Sequence, residues 1–462
     1  MNAPEAAPRR ELGAFTCAAI GITAIVGSGI FALPPALAAS AGPLSFLAFL
    51  AAALVISLIG LMTAEAAGTT DRTGGAYEYA RLAFGPWTGY GVAWLAWVNL
   101  TIAGAWISRA LVKLLEVADP RLGDGAMPEI LSSAQLVAFG AINAFGVKPG
   151  ALVSNALTVS KLVPLALFVL IGLLAFDASS FEGAGARLAA AGTSGFAVAV
   201  YRCIFAAGGF ECIGVVAGEA RDPKRAIPRA VLISIAVSSA LYAGIQLAAC
   251  SSVKELATIV PAGLPGSMAL PIAGERAAGS LWGASAGTAF RWLLFVGATV
   301  SMLGSCSAYA LVGPRYLFAM ATGGFLPRAL LATNARGAPV LAIAAQTAVA
   351  VVLVWNVSWL ALLDVAVLIS LTQHSVTTLA AWKLRRTVPT EGRFIAPGGA
   401  LAPVLALLAV GALVALAYLP AGAPGAESLS ASRFVALGGF LAVGLVLGGA
   451  TRAMTLRASS AT

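Results

Sequence analysis

Gly21-Ile22-Thr23-Ala24-Ile25-Val26-Gly27-Ser28-Gly29-Ile30-Phe31 is the stretch that decides how this chain is read. It lies inside an apolar run from Leu12 to Ala39, long enough to cross a bilayer, which takes roughly 20 residues. Gly27-Ser28-Gly29 interrupts that run. Each glycine weakens a helix by about 1 kcal/mol, so three small residues together predict a break. In hydrocarbon the freed N–H and C=O groups must face a cavity or other protein. A break at that depth also places two helix ends near the membrane centre. The second half, starting near Ile30, offers free amides and a positive dipole end to an anion. A discontinuous helix of this kind is the frame of a transporter's substrate site.

Composition sets the surroundings of the break. Of the 462 residues, 60% are hydrophobic and 10% charged, with a mean hydropathy of +0.92. That excludes a soluble domain and predicts a polytopic helical membrane protein. Continuous rather than alternating apolar segments exclude a β-barrel. A net charge of +9 would suit nucleic acid, but the Lys and Arg residues cluster between spans, at Arg9-Arg10, Arg221 to Arg229 and Lys383 to Arg393. That is the positive-inside pattern, so no nucleic-acid partner is expected. It predicts a multi-pass protein of the cell (inner) membrane with both termini cytoplasmic. Cys17, Cys203, Cys212, Cys250 and Cys306 sit in or beside spans without CxxC spacing, as packing residues rather than metal ligands or disulfides. The first apolar run is too long for a signal peptide and is read as retained.

About twelve spans follow the polar start. Span six, Ser194–Ala220, is interrupted by Gly208-Gly209, five spans after the first break. Five is odd, so the second group of five enters the membrane upside down, the signature of inverted repeats with the site where the broken helices meet. The expected organisation is an N-terminal tail (1–11), repeat one (12–176), an outer loop (177–193), repeat two (194–382), a cytoplasmic loop (383–397), two appended helices (398–451) and a C-terminal tail (452–462). Further expectations are a tight inner turn at Gly146 to Gly150, an outer loop from Ser251 to Ala289 with room for a short surface helix, and a cytoplasmic helix at Tyr316 to Ala321.

These motifs carry a resemblance. The first-span segment with Pro34 resembles the first-helix motif of the amino acid–polyamine–organocation (APC) superfamily of permeases. Glu65 before Gly74-Gly75-Ala76-Tyr77-Glu78-Tyr79 is similar to its second-to-third helix junction. Gly209-Phe210-Glu211 followed by Glu219 to Arg229 resembles its sixth-helix signature. Gly324-Phe325-Leu326-Pro327 and Leu384-Arg385-Arg386 match later segments, and the match runs from Leu12 to Leu407. The resemblance implies an all-α, LeuT-type five-plus-five fold with helices one and six broken plus two extra helices, and transport of amino acids or amines.

The site expected from the breaks and the resemblance binds a zwitterion. Amides at Ser28 and Gly29, beside Gly27, suit a carboxylate. Carbonyls near Phe205 and Gly208, with that of Ile25, suit an ammonium. The resemblance makes Phe205 an aromatic gate and Tyr309 a pocket aromatic; Trp97 is a candidate lining residue of span three. Ala24 and Gly104 stand where resembling exchangers of cationic substrates carry polar groups, which implies a small or apolar neutral substrate. Lys161 lies inside an apolar run, where a lone ammonium costs at least about 2.5–3.5 kcal/mol. In resembling proton-coupled members and sodium-independent exchangers a lysine there fills the place of a sodium ion, which makes Lys161 a candidate sodium substitute and proton carrier. Glu211, after the second break, is a proton candidate or a tie for the unwound segment. Asp364 and His374 are further polar residues within span ten.

The function expected is secondary active transport of amino acids, neutral and sodium-independent, by proton-coupled uptake with alternating access. An exchanger of the same fold, including one for cationic amino acids or amines, is the alternative within the class. A channel would want rings of pore-lining polar residues, and a membrane enzyme clustered His, Asp or Glu; the sequence shows neither. No GxxxxGK[ST] loop occurs, so ATP is not the expected energy source. No cofactor is expected; the partners are the amino acid, protons and the bilayer, with the protein acting as a monomer or homodimer.

Overall fold

The computed structural model of the chain describes residues 13–27, 29–70, 74–145, 147–259, 266–356, 359–418 and 432–460, and among them every regular element is helical. Helix α1 (Ala14–Ile25) stops at the first break, and the chain resumes as α2 (Gly29–Ala32) and α3 (Pro34–Ala41). Pro34 and Pro35 open α3, where a missing N–H costs no hydrogen bond. Then come α4 (Phe46–Ala67), the short α5 (Ala76–Phe84), α6 (Pro86–Leu115), α7 (Met127–Ala144) and α8 (Val147–Leu174). The second half begins with α9 (Ala184–Ala207), which ends at the second break. A 3₁₀ segment, Phe210–Glu219, follows, and then α10 (Pro223–Ser252), α11 (Ala269–Trp282), α12 (Ala284–Thr322), α13 (Val340–Asn356) and α14 (Trp359–Thr387). Helices α15 (Leu401–Tyr418) and α16 (Ser432–Ser460) complete it.

Among the described residues, 8 helical stretches are long and apolar enough to cross a membrane, and Cys17–Ala32, Lys161–Leu174 and Val340–Asn356 are shorter apolar ones. Burial is distributed as a bilayer demands. Charged and polar Glu65, Lys161, Gln246 and His374 are inside, whereas Leu54, Leu408, Val435 and Val446 are exposed. Only 11% of the apolar stretch Phe434–Ala453 is buried, a surface that water would not tolerate but acyl chains would. The chain is a multi-pass, all-α membrane protein.

Several boundaries differ from the sequence expectation. The outer loop 177–193 is mostly helix: α9 already starts at Ala184 and bends at Gly192, whose φ of 67° is open to glycine without strain. The long outer loop holds α11, which is no surface helix; Ala269, Leu270, Ala273 and Ala277 are buried, and Leu294 and Phe290 of α12 fill the space beside Gly274. The separate cytoplasmic helix expected at Tyr316 to Ala321 is the last part of α12, which runs 39 residues with Pro314 inside it. Helix α8 begins at Val147, so the expected turn at Gly146 to Gly150 is shorter.

The continuation after the second break is also unlike the first. Phe210–Glu219 is 3₁₀ over 10 residues. Gly214, Val215, Val216 and Gly218 are poor helix formers, and a long 3₁₀ run marks a hinge. The same segment needs a glycine for packing. A Cβ on Gly214 would lie 2.7 Å from the Tyr79 hydroxyl of α5 and 3.2 Å from the Gly75 Cα.

Candidate functional site

The last carbonyls of α1 have no further turn to accept from. Val26 N–H closes the final bond, to Ile22 O at 2.8 Å. Beyond it, three carbonyls are taken by side chains from three other helices. Thr23 O accepts from Lys161 Nζ of α8 at 2.8 Å, Ile25 O from the Tyr242 hydroxyl of α10 at 2.8 Å, and Gly27 O from the Ser301 hydroxyl of α12 at 3.3 Å. The break is therefore a shape held by neighbouring helices rather than a frayed end.

The second break lies against the first. Gly208 is extended (φ −65°, ψ 157°), and Gly209 has φ 118°, which only glycine adopts cheaply. A Cβ on Gly209 would come within 2.5 Å of Ala24 O and 2.9 Å of Ile25 N. From the other side, a Cβ on Gly29 would lie 3.2 Å from the Ala206 Cβ and 3.6 Å from Phe205 Cδ1. Small residues at both breaks thus let two backbones approach where side chains would hold them apart.

A cavity of about 30 Å³ opens beside this crossing, lined by Asn99, Leu100 and Ala103 of α6, Phe205, Gly208, Gly209 and Glu211 at the second break, Tyr309 of α12, and Ala366, Val367 and Ser370 of α14, with Ile204. It has room for roughly two waters. That is too small for an amino acid, which would have to part the surrounding helices to enter.

Of the residues singled out in the sequence, Phe205, Gly208, Glu211 and Tyr309 line this cavity. Gly27, Gly29 and Ile25 are buried at the crossing, with the Ile25 carbonyl already bonded to Tyr242. Ser28 lies outside the described residues, as does the side chain of Asp364. Trp97 does not line the cavity: its ring packs on Trp94 at 4.9 Å, and Trp94 Nε1 donates to Phe440 O of α16 at 2.8 Å. The aromatic of α6 at the site is Trp106, edge-on to Phe205 at 5.2 Å. Glu211 ties the unwound segment, its Oε2 accepting from Gly209 N–H at 2.9 Å. Lys161 is 1% exposed. Arg202 donates to the Ser40 hydroxyl at 3.2 Å, joining α9 to α3. Glu65 is wholly buried; it pairs with Arg385 of α14 and accepts from Ala396 N–H at 2.9 Å.

Sequence reasoning missed Asn99, Trp106, Tyr242, Ser301 and the whole α14 wall. One signal was present. Ser370 and His374 are polar at i, i+4 in an apolar span, and Ser370 Oγ lies 3.2 Å from His374 Nε2, while the imidazole stacks on Phe210 at 5.1 Å. That pair joins the cavity wall to the 3₁₀ segment. No group of three or more His, Cys, Asp or Glu side chains suited to a metal occurs among the described residues.

Comparison with known proteins agrees with this geometry. The amino acid permease family matches residues 12–443. An uncharacterized transporter of Mycobacterium bovis is 29% identical over 432 residues, covering 88% of this chain and 87% of its own. The serine/threonine exchanger SteT of Bacillus subtilis is 26% identical over 88% of this chain and 91% of its own. Human cationic amino acid transporter 4 is 25% identical over 52% of this chain and 40% of its own. These relatives are transporters rather than enzymes. With two helices broken in mid-span, their breaks in contact and a family match over nearly its whole length, the chain belongs to the amino acid permeases of the APC superfamily.

Proposed function

We propose that the protein carries small neutral amino acids across the cell membrane by alternating access, coupled to protons and independent of sodium. The observation that carries this reading is the contact of the two breaks, Gly209 against Ala24 and Gly29 against Ala206. Main-chain groups at such a crossing recognise the part that all amino acids share, the carboxylate at the amides of Ser28 and Gly29 and the ammonium at carbonyls near Phe205 and Gly208. Ile25 O contributes its second lone pair, the first being engaged by Tyr242.

Selectivity then falls to the cavity walls. Leu100, Ala103, Ala366 and Val367 are apolar and leave little room, which supports a small side chain. Glu211 is the one acid among the lining residues, and one of its oxygens is occupied by Gly209 N–H, which supports a neutral substrate over a cationic one. Lys161 supports sodium independence. Its ammonium already binds a carbonyl at the end of α1, the kind of ligand a sodium ion would need. The edge-on contact of Phe205 with Trp106 supports the gate role given to Phe205. The basic loops support cytoplasmic termini.

Exchange of one amino acid for another is the second reading, favoured by the serine/threonine exchanger among the relatives. Uptake into proteoliposomes tests both. A panel of labelled amino acids is offered with and without an inward proton gradient, with and without sodium, and with or without internal amino acid. The symport reading expects serine, threonine or alanine to accumulate in empty vesicles when the outside is acid, regardless of sodium. Accumulation only in preloaded vesicles establishes the exchanger instead, and a sodium requirement overturns the role given to Lys161.

A further inference from the structure

A second cavity lies far from the crossing, between α5 and α14. It is a groove of about 360 Å³ lined by Phe84, Leu379, Trp382, Lys383 and Arg386. Its α14 wall is a single helix face, since Leu379, Trp382, Lys383 and Arg386 are spaced by three and four residues. The face is graded. Leu379, 40% exposed, comes first; then Trp382, of the residue type that sits at headgroup level; then Lys383, about 6 Å, and Arg386, about 10 Å, beyond Leu379 along the axis at 1.5 Å per residue. Hydrocarbon, interface and phosphate follow one another in a bilayer leaflet in the same order.

Neither Lys383 nor Arg386 forms an ion pair among the described residues, and Lys383 is engaged only by the face of a ring. Lys383 Nζ stands 5.1 Å from the centre of the Phe84 ring, which closes the groove from α5. Glu78 of α5 is turned to Arg81 at 2.8 Å and the buried Glu65 to Arg385. Arg385 and Arg386 are neighbours with opposite tasks: the first points inward to Glu65, and the second is exposed and faces the groove.

We propose that this groove binds an anionic phospholipid, with the phosphodiester held by Lys383 and Arg386 and the acyl chains laid along Leu379, Trp382 and Phe84. Two cations with no acid among the described lining residues complement a negative headgroup, and a basic site at the end of a span is where leaflet phosphate is found. The apolar half of the groove selects a lipid over free phosphate. The inference requires that the chain spans a membrane and does not depend on what it transports, so failure of either leaves the other standing.

The test is native mass spectrometry of the full-length protein, delipidated in detergent and given equal amounts of phosphatidylglycerol and phosphatidylcholine with the same acyl chains. Phosphatidylglycerol adducts are expected to exceed phosphatidylcholine adducts severalfold. Lys383→Gln with Arg386→Gln should abolish the excess, while Lys383→Arg with Arg386→Lys should keep it. Arg121→Gln with Arg328→Gln, the same charge loss at exposed sites elsewhere, should also keep it. Equal adducts of the two lipids in the unaltered protein overturn the proposal, as does an undiminished excess in the glutamine pair. Displacement of the lipid by inorganic phosphate at tens of millimolar would make the ligand a free anion and overturn it too.

Discussion

Thr23, Ile25 and Gly27 show how single side chains hold an unwound backbone open. Lys161, Tyr242 and Ser301 each replace an intrahelical donor that the break removed. Removing one of them leaves a buried carbonyl unpaired, at a cost of about 1–3 kcal/mol. Tyr242→Phe, which deletes the hydroxyl with little change of shape, is therefore expected to lower the melting temperature in detergent and to slow uptake. Unchanged melting and uptake would mean that the bond to Ile25 O is idle. Lys161 adds a charge to the same task. Lys161→Ala is expected to reduce proton-driven uptake at least tenfold in proteoliposomes, and Lys161→Arg not to restore it, because the longer planar guanidinium does not fit the place of an ammonium with one carbonyl acceptor. Wild-type uptake in Lys161→Ala would remove this residue from the mechanism.

At the scale of elements, the breaks work because they touch. Gly209 allows the approach twice over, by its positive φ and by having no Cβ where Ala24 O comes within 2.5 Å of one. Gly209→Ala should abolish uptake, since it must push α1 away from α9. Gly411→Ala is the matched control: it lies in α15 with nothing near its added Cβ, and it should transport like the wild type with equal or slightly higher stability. Loss of uptake in both would point to a general intolerance of substitution. The two breaks were legible in the sequence because Gly27-Ser28-Gly29 and Gly208-Gly209 act locally, on propensity alone. The 3₁₀ form of Phe210–Glu219 was not read, although Gly214, Val215, Val216 and Gly218 carry the signal. Tyr242 and Ser301 were not legible because nothing near them in sequence says which carbonyl they will meet across the bundle. Trp97 shows the converse. An aromatic in the right span was assigned to the cavity, while a rotation of α6 by three residues gives that place to Asn99, Leu100 and Ala103 and leaves Trp97 to pack on Trp94.

Across the whole molecule, the alternating access proposed above has some helices stay fixed while α1 and α9 move. Glu65 ties α4 to α14 and to the backbone at Ala396, whereas Arg202 with Ser40 ties α9 to α3, joining the two broken helices to each other. Breaking a buried ion pair by removing one partner costs about 3–5 kcal/mol, far more than an exposed pair. Glu65→Ala is thus expected to lower the melting temperature by several degrees, whereas Glu116→Ala, which loses a pair with the half-exposed Lys113, should change it little. Equal shifts would deny the Glu65 tie its structural role. The large outline, all-helical apolar spans with an apolar girdle, was legible in composition. The second layer was not: α11 and the first part of α9 fold back onto the bundle through tertiary packing that no local pattern announces.

The account rests on the two breaks facing each other and moving as the gate of one site. Gly29→Cys with Ala206→Cys, in a protein whose five native cysteines are replaced, tests this most directly. A Cβ at position 29 would stand 3.2 Å from that of residue 206, close to the spacing of a disulfide. Mild oxidation in proteoliposomes should join the pair and bring uptake down to background. Reduction should restore the uptake the double variant has before oxidation, which the added side chains leave below wild type, and each single variant should be insensitive to the oxidant. No cross-link, or full uptake by the cross-linked protein, would contradict the account.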